Sequence, residues 1–518
     1  MKFAHLSVIA WIFLFALQAR AQDTRPSLTV ALNAQPANLD PAETPFAANF
    51  RVTYSVFDTL IRRDILAEIH DPAKGVTLAP GLAIGWKRLD DRTLELRLRP
   101  GVKFHNGADM TADDVAFSLS KERLFGDKAI APQAKWFIGD IESVEVVDRL
   151  TVRVRSAKPD GILEYRLSQP QSAIIPKNAY EKGVDAFKRN PIGTGPLRFV
   201  EWRDNDRLQF NVFDDYFEGR PPFKSVTFRI VPEQAARIAG LVSGEFDIIT
   251  QVTPDQIDLL KRYPDLTIRS DGLQNTQEIL FDVRHPVVTD KRVRKALSLA
   301  IDRKLIVQSM FHNQTTLPNS WQIPEMGPLY EQDRDDLRFE PTEAKQLLQS
   351  SGYQGEPITL RYPIGYYPSG DAVAQAVAKM WRDIGMKVKL EAVETIGQVT
   401  GGGSPSVLIS FTYDMPLPEF AVCSYRGENT RYKAWMTKDM SQYYQLCAEI
   451  AGVSDTGQRQ KIFRSILDEL AENTPSALLY QQPQVFAMRR NILWEPYPLF
   501  FMDFRQAALR FESAAERR

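Results

Sequence analysis

The residues able to do chemistry in this chain are few and widely spaced. His70, His105, His285 and His312 are scattered, and no H-E-x-x-H or C-x-x-C pattern occurs. A dedicated metal site needs side chains at recognisable spacing, and none is spelled out here. His105 falls in a turn and reads as a structural or surface residue. A nucleophile elbow of the G-x-S-x-G type is missing, and Gly401-Gly-Gly-Ser-Pro405 reads as a flexible loop. Gly193-Thr-Gly195 has phosphate-loop composition, but Pro196 and a strand-like run follow where a helix N-terminus would be required. Asp113-Asp114 belongs to a helix start and defines no glycosidase carboxylate pair. Lys291, Arg292, Arg294 and Lys295 fall on one helical stretch and read as a solvated basic face. No cofactor or metal is called for. Cys423 and Cys447 are the only cysteines, an even pair with a short loop between them. In an oxidising compartment such a pair is expected to form a disulfide.

The elements that must position these residues alternate between strand and helix, with no internal repeat. Ser27 to Leu32 reads as an opening strand with Leu28, Val30 and Leu32 on one face. A helix is expected over Phe50 to Leu60. A strand-rich insertion follows from about Ile69 to Tyr180. In it Leu94, Leu96 and Leu98 alternate with polar residues, Pro100-Gly101 and Asn106-Gly107 turn the chain, and Thr111 with Asp114 caps a helix. Further strands are expected at Leu197 to Trp202, Leu208 to Phe213, Ser225 to Ile230 and Glu245 to Ile249, with a helix from Gln234 to Gly244. In the C-terminal half a helix opening at Pro341 stops at Gly352. The strand at Ile358 to Tyr362, the helical stripe Val373, Val377, Met380, Trp381, Ile384 and the strand at Met386 to Leu390 form a β-α-β unit with parallel strands. A helix over Gln458 to Leu470 precedes two runs, Ala477 to Tyr480 and Val485 to Met488.

The N-terminus reads as an export signal. Lys2 and His5 precede the apolar run Leu6 to Leu17, and Ala19-Arg20-Ala21 is an A-x-A cleavage site, so the signal peptide is expected to span residues 1–21. With a formal charge of −1 there is no bulk drive towards nucleic acid or an anionic membrane. A chain of 518 residues exceeds one core and implies at least two lobes. A large exported chain with no catalytic constellation, and with many aromatics outside regular stripes, suits a receptor that closes around a small solute. Ligand sites favour interdomain clefts, where aromatic walls give contact area at little entropic cost.

The stretch Leu98-Arg-Pro-Gly-Val-Lys-Phe-His-Asn-Gly107 with Thr111-Ala-Asp-Asp-Val115 resembles a hallmark of the bacterial extracellular solute-binding proteins, family 5, the dipeptide, oligopeptide and nickel receptors of ABC importers. Val56-Phe-Asp-Thr-Leu-Ile61, Leu78-Ala-Pro-Gly-Leu-Ala83, Pro191 to Trp202 with Asp215-Tyr-Phe217, Asp290-Lys-Arg-Val-Arg-Lys-Ala296 with Ala300-Ile-Asp-Arg303, and Gly352-Tyr353 continue the likeness in the family's order. The resemblance implies an α/β, two-lobed periplasmic-binding-protein fold of the large type, with an extra subdomain inserted in lobe one and a two-crossing hinge. Lobe one would comprise residues 22–272 and 489–518, the insertion 66–184, and lobe two 273–488. The hinges would lie at Leu273 to Gln277 and Tyr480 to Met488. It further implies a monomeric periplasmic subunit that binds short peptides and delivers them to an inner-membrane ABC permease, without catalysis. Asp414, in Phe411-Thr-Tyr-Asp-Met-Pro-Leu-Pro418, occupies the position of the family's amine-binding aspartate, with Tyr413 beside it. The family's second acidic residue and its proline are displaced there, which keeps open a non-peptide solute such as a sugar-phosphate or opine-like compound. Arg426 and Asn429 fall where the chain re-enters the cleft in that family. Phe46 and Asn49 on lobe one, and Trp321, Tyr366 and Tyr367 on lobe two, are its candidate walls. An exported hydrolase is the alternative of another class.

Overall fold

The computed structural model describes residues 23–43, 47–124, 134–401, 403–413, 415–426, 432–436 and 440–512. The expected signal peptide, and Phe46, Asp414 and Asn429, therefore lie outside the described residues. Among the described residues, no helix is long and apolar enough to cross a membrane.

Ten strands form one continuous mixed sheet. Their order is Val388–Val393, Ile358–Pro363, Ser406–Thr412, Leu266–Phe281, Ser476–Arg489, Ile248–Ile249, Ser27–Leu32, Ser225–Ile230, Arg207–Val212 and Leu197–Arg203. The two longest strands, Leu266–Phe281 and Ser476–Arg489, run antiparallel through the middle and belong to both halves. Near the centre their register slips: Gly272 faces Pro483, and pairing resumes only at Thr276 with Gln481. Such a bulge bends the ribbon and frees backbone groups for other partners. Here the Gln274 N–H donates to the Pro498 carbonyl, and the Gln274 carbonyl accepts from Tyr413 N–H. Pro483 sits at the interruption, where a missing N–H costs no ladder bond.

One half of the sheet carries the core of Leu28, Val30, Phe210, Phe228 and Phe504. The other carries two cores, one around Phe281, Leu297, Val377 and Trp381, the other around Trp321, Phe411, Phe463 and Leu470. The β-α-β unit is present as read: Ile358–Pro363 pairs in parallel with Val388–Val393, and the helix Gly370–Asp383 buries Val373, Val377 and Trp381. The insertion holds its own antiparallel sheet, in the order Ala83–Arg88, Thr93–Leu98, Thr151–Ser156, Ile141–Asp148, over a core of leucines 94, 96 and 98. Thr111 caps the helix Ala112–Ser118, its N–H and Oγ1 both 2.9 Å from Asp114 Oδ2. Cys423 and Cys447 form the expected disulfide, tying the turn Glu419–Cys423 to the helix Ser441–Ala451.

Four expectations differ from the structure. The first helix is short, Ala47–Thr53. Beyond it the carbonyls of Ser55 and Val56 accept from Leu197 and Gly195 N–H, both at 3.0 Å, so the helical ladder has no acceptors to continue on. That contact also explains Gly193 and Gly195. A Cβ on Gly193 would sit 2.0 Å from the Val56 carbonyl oxygen, and one on Gly195 2.6 Å from that of Ser55. These glycines serve close backbone approach. The run Glu245 to Ile249 contributes only Ile248–Ile249 as strand, because Glu245 and Phe246 N–H both bond the Gly240 carbonyl at the end of the preceding helix. The two C-terminal runs are one 14-residue strand. Finally, the basic face of the helix Lys291–Leu299 is not wholly solvated. Arg294 is fully buried and donates to the carbonyls of Val288, Thr289 and Asn473 at 2.6–3.0 Å.

His105 is structural. Gly193 N–H donates to Nδ1 at 3.2 Å, which makes Nε2–H the donor to the Gly195 carbonyl at 2.8 Å. Burial pulls its pKa down to about 4, so the ring is neutral at physiological pH.

Candidate ligand-binding cleft

A cleft of about 970 Å³ lies between the two halves of the great sheet. This is at the upper end of the volume usual for small-molecule sites, roughly 300–1,000 Å³. Its floor is the bulged centre of the two long strands, through Leu273, Asn275 and Gln482 to Val485. One wall comes from the helix Ala47–Thr53 (Ala48, Arg51), the start of the helix Gln234–Ser243 (Gln234, Arg237), residues Gln251 to Pro254, and Phe500. The facing wall comes from Gly365 to Ala372, and from Ser410 and Thr412 at the end of their strand. The cleft thus sits where strand ends and irregular backbone from both halves converge, the usual place for ligands in open α/β sheets.

Two of the expected wall residues are on it. Tyr366 and Tyr367 meet edge to face with centroids 4.8 Å apart, and both line the cleft. Tyr367 is buried and its hydroxyl accepts from Ser410 N–H at 3.1 Å, which locks its ring, while Tyr366 is 54% exposed. Asn49 is buried, and its amide is committed to the loop before it. Oδ1 accepts from Ala37 N–H at 3.1 Å and Nδ2 donates to the Asn38 carbonyl at 3.0 Å.

Tyr413, Arg426 and Trp321 come together, but beneath the cleft wall rather than on it. All three are essentially fully buried around Glu278, itself inaccessible. Glu278 accepts from Thr276 Oγ1 at 2.9 Å and from Ser476 Oγ at 2.6 Å, and is paired with Arg426. Trp321 Nε1 donates to Ser476 Oγ at 3.1 Å. The Tyr413 hydroxyl lies 3.5 Å from Thr276 Oγ1, and its pKa is raised by burial first and the Glu278 charge second. The Arg426 guanidinium also stacks 4.8 Å from the centroid of Phe411. A buried charge requires a partner, and here arginine and carboxylate supply each other's.

The polar groups that the cleft itself offers were not singled out in the sequence. Gln251 Oε1, Asn275 Oδ1, Asp371 Oδ1 and Gln484 Oε1 are buried side-chain oxygens on cleft-lining residues, and each lacks a hydrogen-bond partner among the described residues. Native proteins seldom leave several such atoms orphaned in one place. Arg51 is 1% exposed, with Nε and Nη2 unpartnered among the described residues. Burial, and then the charge of Arg237, pull its pKa down to about 10. Its one described contact of note is a cation–π approach to Phe500 at 5.6 Å. That contact stabilises by about 0.5–2 kcal/mol, against a cost of several kcal/mol for an uncompensated buried charge. Arg237 is better satisfied, its Nη1 donating to the carbonyls of Val231 and Pro232 and its Nη2 to that of Gln251. One signal was available in the sequence: Gln481, Gln482 and Gln484 interrupt an otherwise apolar strand.

Comparison with known proteins gives this geometry its context. Residues 77–433 match the family model described as bacterial extracellular solute-binding proteins, family 5 Middle. The di/tripeptide-binding protein 1 of Pseudomonas aeruginosa is 25% identical over 500 residues, covering 90% of this chain and 91% of that one. Among solved structures, the periplasmic binding protein DppA of Helicobacter pylori, in complex with the peptide STSA, superposes with a TM-score of 0.80 at 18% identity, covering 94% of this chain and 99% of that one. AgaA of Agrobacterium tumefaciens R10, in complex with agropinic acid, superposes with a TM-score of 0.78 at 22% identity, covering 95% and 100%. The sheet with its two shared central strands is thus the fold of periplasmic binding proteins, and the chain belongs to the bacterial extracellular solute-binding proteins, family 5.

Proposed function

We propose that this protein is the periplasmic solute-binding subunit of an ABC importer and that its solute is a short peptide. The observation that carries the peptide reading is the set of buried acceptor oxygens on the cleft: Gln251, Asn275, Gln484 and the carboxylate of Asp371. An unmet acceptor calls for an N–H donor. A peptide brings several, in its amide N–H groups and its ammonium. The names of the related di/tripeptide- and peptide-bound proteins support the same reading. Asp414, two residues beyond the cleft-lining Thr412, is the proposed partner of the ammonium, with Asn429 and Phe46 as further proposed contacts. Tyr366 and Tyr367 are proposed as the aromatic wall.

On this reading the signal peptide is removed after Ala21 and the mature protein acts as a monomer. Lobe one comprises residues 22–272 and 489–518 with the insertion 66–184, and lobe two comprises 273–488. Solute touching both walls favours the closed form, which is a shift between two states of the hinge. The closed form delivers its solute unaltered to an inner-membrane permease.

Native mass spectrometry of the protein released gently from the periplasm, followed by denaturation, tests this. Release of intact peptides of narrow length is the expected result. A single non-peptide mass, such as an opine-like or sugar-phosphate compound, would overturn the peptide assignment, and recovery of cleaved products would overturn the receptor reading.

A further inference from the structure

The lobe-one wall of the cleft carries two arginines that form no ion pair among the described residues. Arg51 and Arg237 both line it and both are buried. None of the ion pairs among the described residues involves either one, although buried pairs such as Arg63–Glu68, Arg123–Asp40, Arg426–Glu278 and Arg505–Asp58 neutralise charges elsewhere in the fold. The other fully buried arginines each have a carbonyl or carboxylate partner: Arg294 and Arg303 donate to backbone carbonyls, and Arg426 pairs with Glu278. Arg51 differs from these in lying at the cleft with no carbonyl or carboxylate partner among the described residues, its Nε and Nη2 unpartnered there and an aromatic face as its support. Phe500 holds the group in place without using its hydrogen bonds, and Arg237 adds a second positive charge while its Nη1 and Nη2 donate to three carbonyls.

From this arrangement we infer that Arg51 is the anion anchor of the cleft: it receives a carboxylate of the solute, which on the peptide reading is the C-terminal carboxylate. The facing wall offers Asp371. The cleft is therefore polarised, positive on the lobe-one wall and negative on the lobe-two wall, so a zwitterionic chain would lie across it with its carboxylate towards the helix Ala47–Thr53. A carboxylate suits the site because the fork of a guanidinium presents parallel donors to two oxygens. The inference rests on the proposed peptide function for the identity of the solute, and on Arg51 alone for the anion.

The test uses mature protein stripped of bound solute by unfolding and refolding. Three probes are titrated calorimetrically: a defined pool of di- to tetrapeptides, the same pool as C-terminal amides, and a set of non-peptide anions comprising succinate, citrate and glucose 6-phosphate. Wild type is compared with Arg51→Gln and Arg51→Lys. The expected result is at least a tenfold loss of affinity on amidation in wild type, no further loss on amidation in Arg51→Gln, and partial recovery in Arg51→Lys. If peptides bind but amidation costs less than twofold, the anchor is refuted while the peptide function stands. If no peptide binds but succinate or citrate does, and Arg51→Gln abolishes it, the peptide function falls and the anchor stands. Preference for glucose 6-phosphate over every carboxylate refutes the carboxylate assignment. Should Arg51→Gln fail to refold, the amidation comparison in wild type and the Arg51→Lys variant still decide.

Discussion

Arg426 and Glu278 are both completely buried, and the consequences of separating them can be worked from their neighbours. Removing one member of a buried pair costs about 3–5 kcal/mol, because the other charge is left without compensation. The two members are not equally exposed to that penalty. Glu278 without Arg426 keeps two hydroxyl donors, from Thr276 and Ser476. Arg426 without Glu278 keeps the Ser476 oxygen at 3.3 Å and the face of Phe411, with Nε and Nη1 already unpartnered among the described residues. Arg426→Met is therefore expected to cost about 3 kcal/mol, and Glu278→Leu about 5 kcal/mol. The double variant should lose less than the sum, with a coupling on the order of 3 kcal/mol, since no charge is left behind. Urea unfolding of solute-free protein, followed by circular dichroism at pH 7, measures these differences. Solute affinity should change less than threefold in Arg426→Met, because the side chain lies beneath the wall rather than on it. The reasoning is refuted if Arg426→Met unfolds within about 1 kcal/mol of wild type while solute binding falls tenfold or more. That outcome would mean that the guanidinium leaves Glu278 for the solute.

Two further predictions concern stability. His105 has its pKa lowered to about 4 by burial, below the unfolded value near 6.5, so the unfolded chain binds a proton first as pH falls. Stability from this residue is whole above pH 6.5 and declines down to pH 4, by up to about 3 kcal/mol. A His105→Gln variant should lose that part of the pH dependence, and an unchanged pH profile of the unfolding midpoint would contradict the assignment. Reducing the Cys423–Cys447 disulfide, which closes a loop of sequence separation 24, should lower stability by about 3 kcal/mol on the loop-entropy model. Thermal unfolding with and without reductant measures it, and coincident transitions would mean that the second half of the fold does not depend on the link.

The local elements were largely legible because their signals are local. Alternation at Leu94, Leu96 and Leu98, the helical stripe through Val373, Val377 and Trp381, the Thr111–Asp114 cap and the β-α-β rhythm are periodicities that one stretch of chain carries by itself. The family likeness, spread along the chain in order, carried the fold class. What misled was competition from distant partners. The expected helix beyond Thr53 is cut short because Gly195 and Leu197 take its carbonyls, and Arg294 leaves the basic face to cap the carbonyl of Asn473.

The sequence by itself determined the elements, the paired cysteines and the family to which the chain belongs. Only the tertiary structure decided which polar groups the cleft offers. Arg51, Gln251, Asp371 and Gln484 are far apart in the chain, and apart from the glutamines that interrupt the apolar run around Gln484, nothing in their own neighbourhoods distinguishes them from ordinary surface residues. Being buried without a partner is a property of the assembled walls: it depends on which atoms of other elements come within hydrogen-bond distance and which do not. The same holds for Arg426 and Trp321. Their residue types suit a ligand site, and it is the proximity of Glu278 and Ser476, brought in on the two long central strands, that turns them inward.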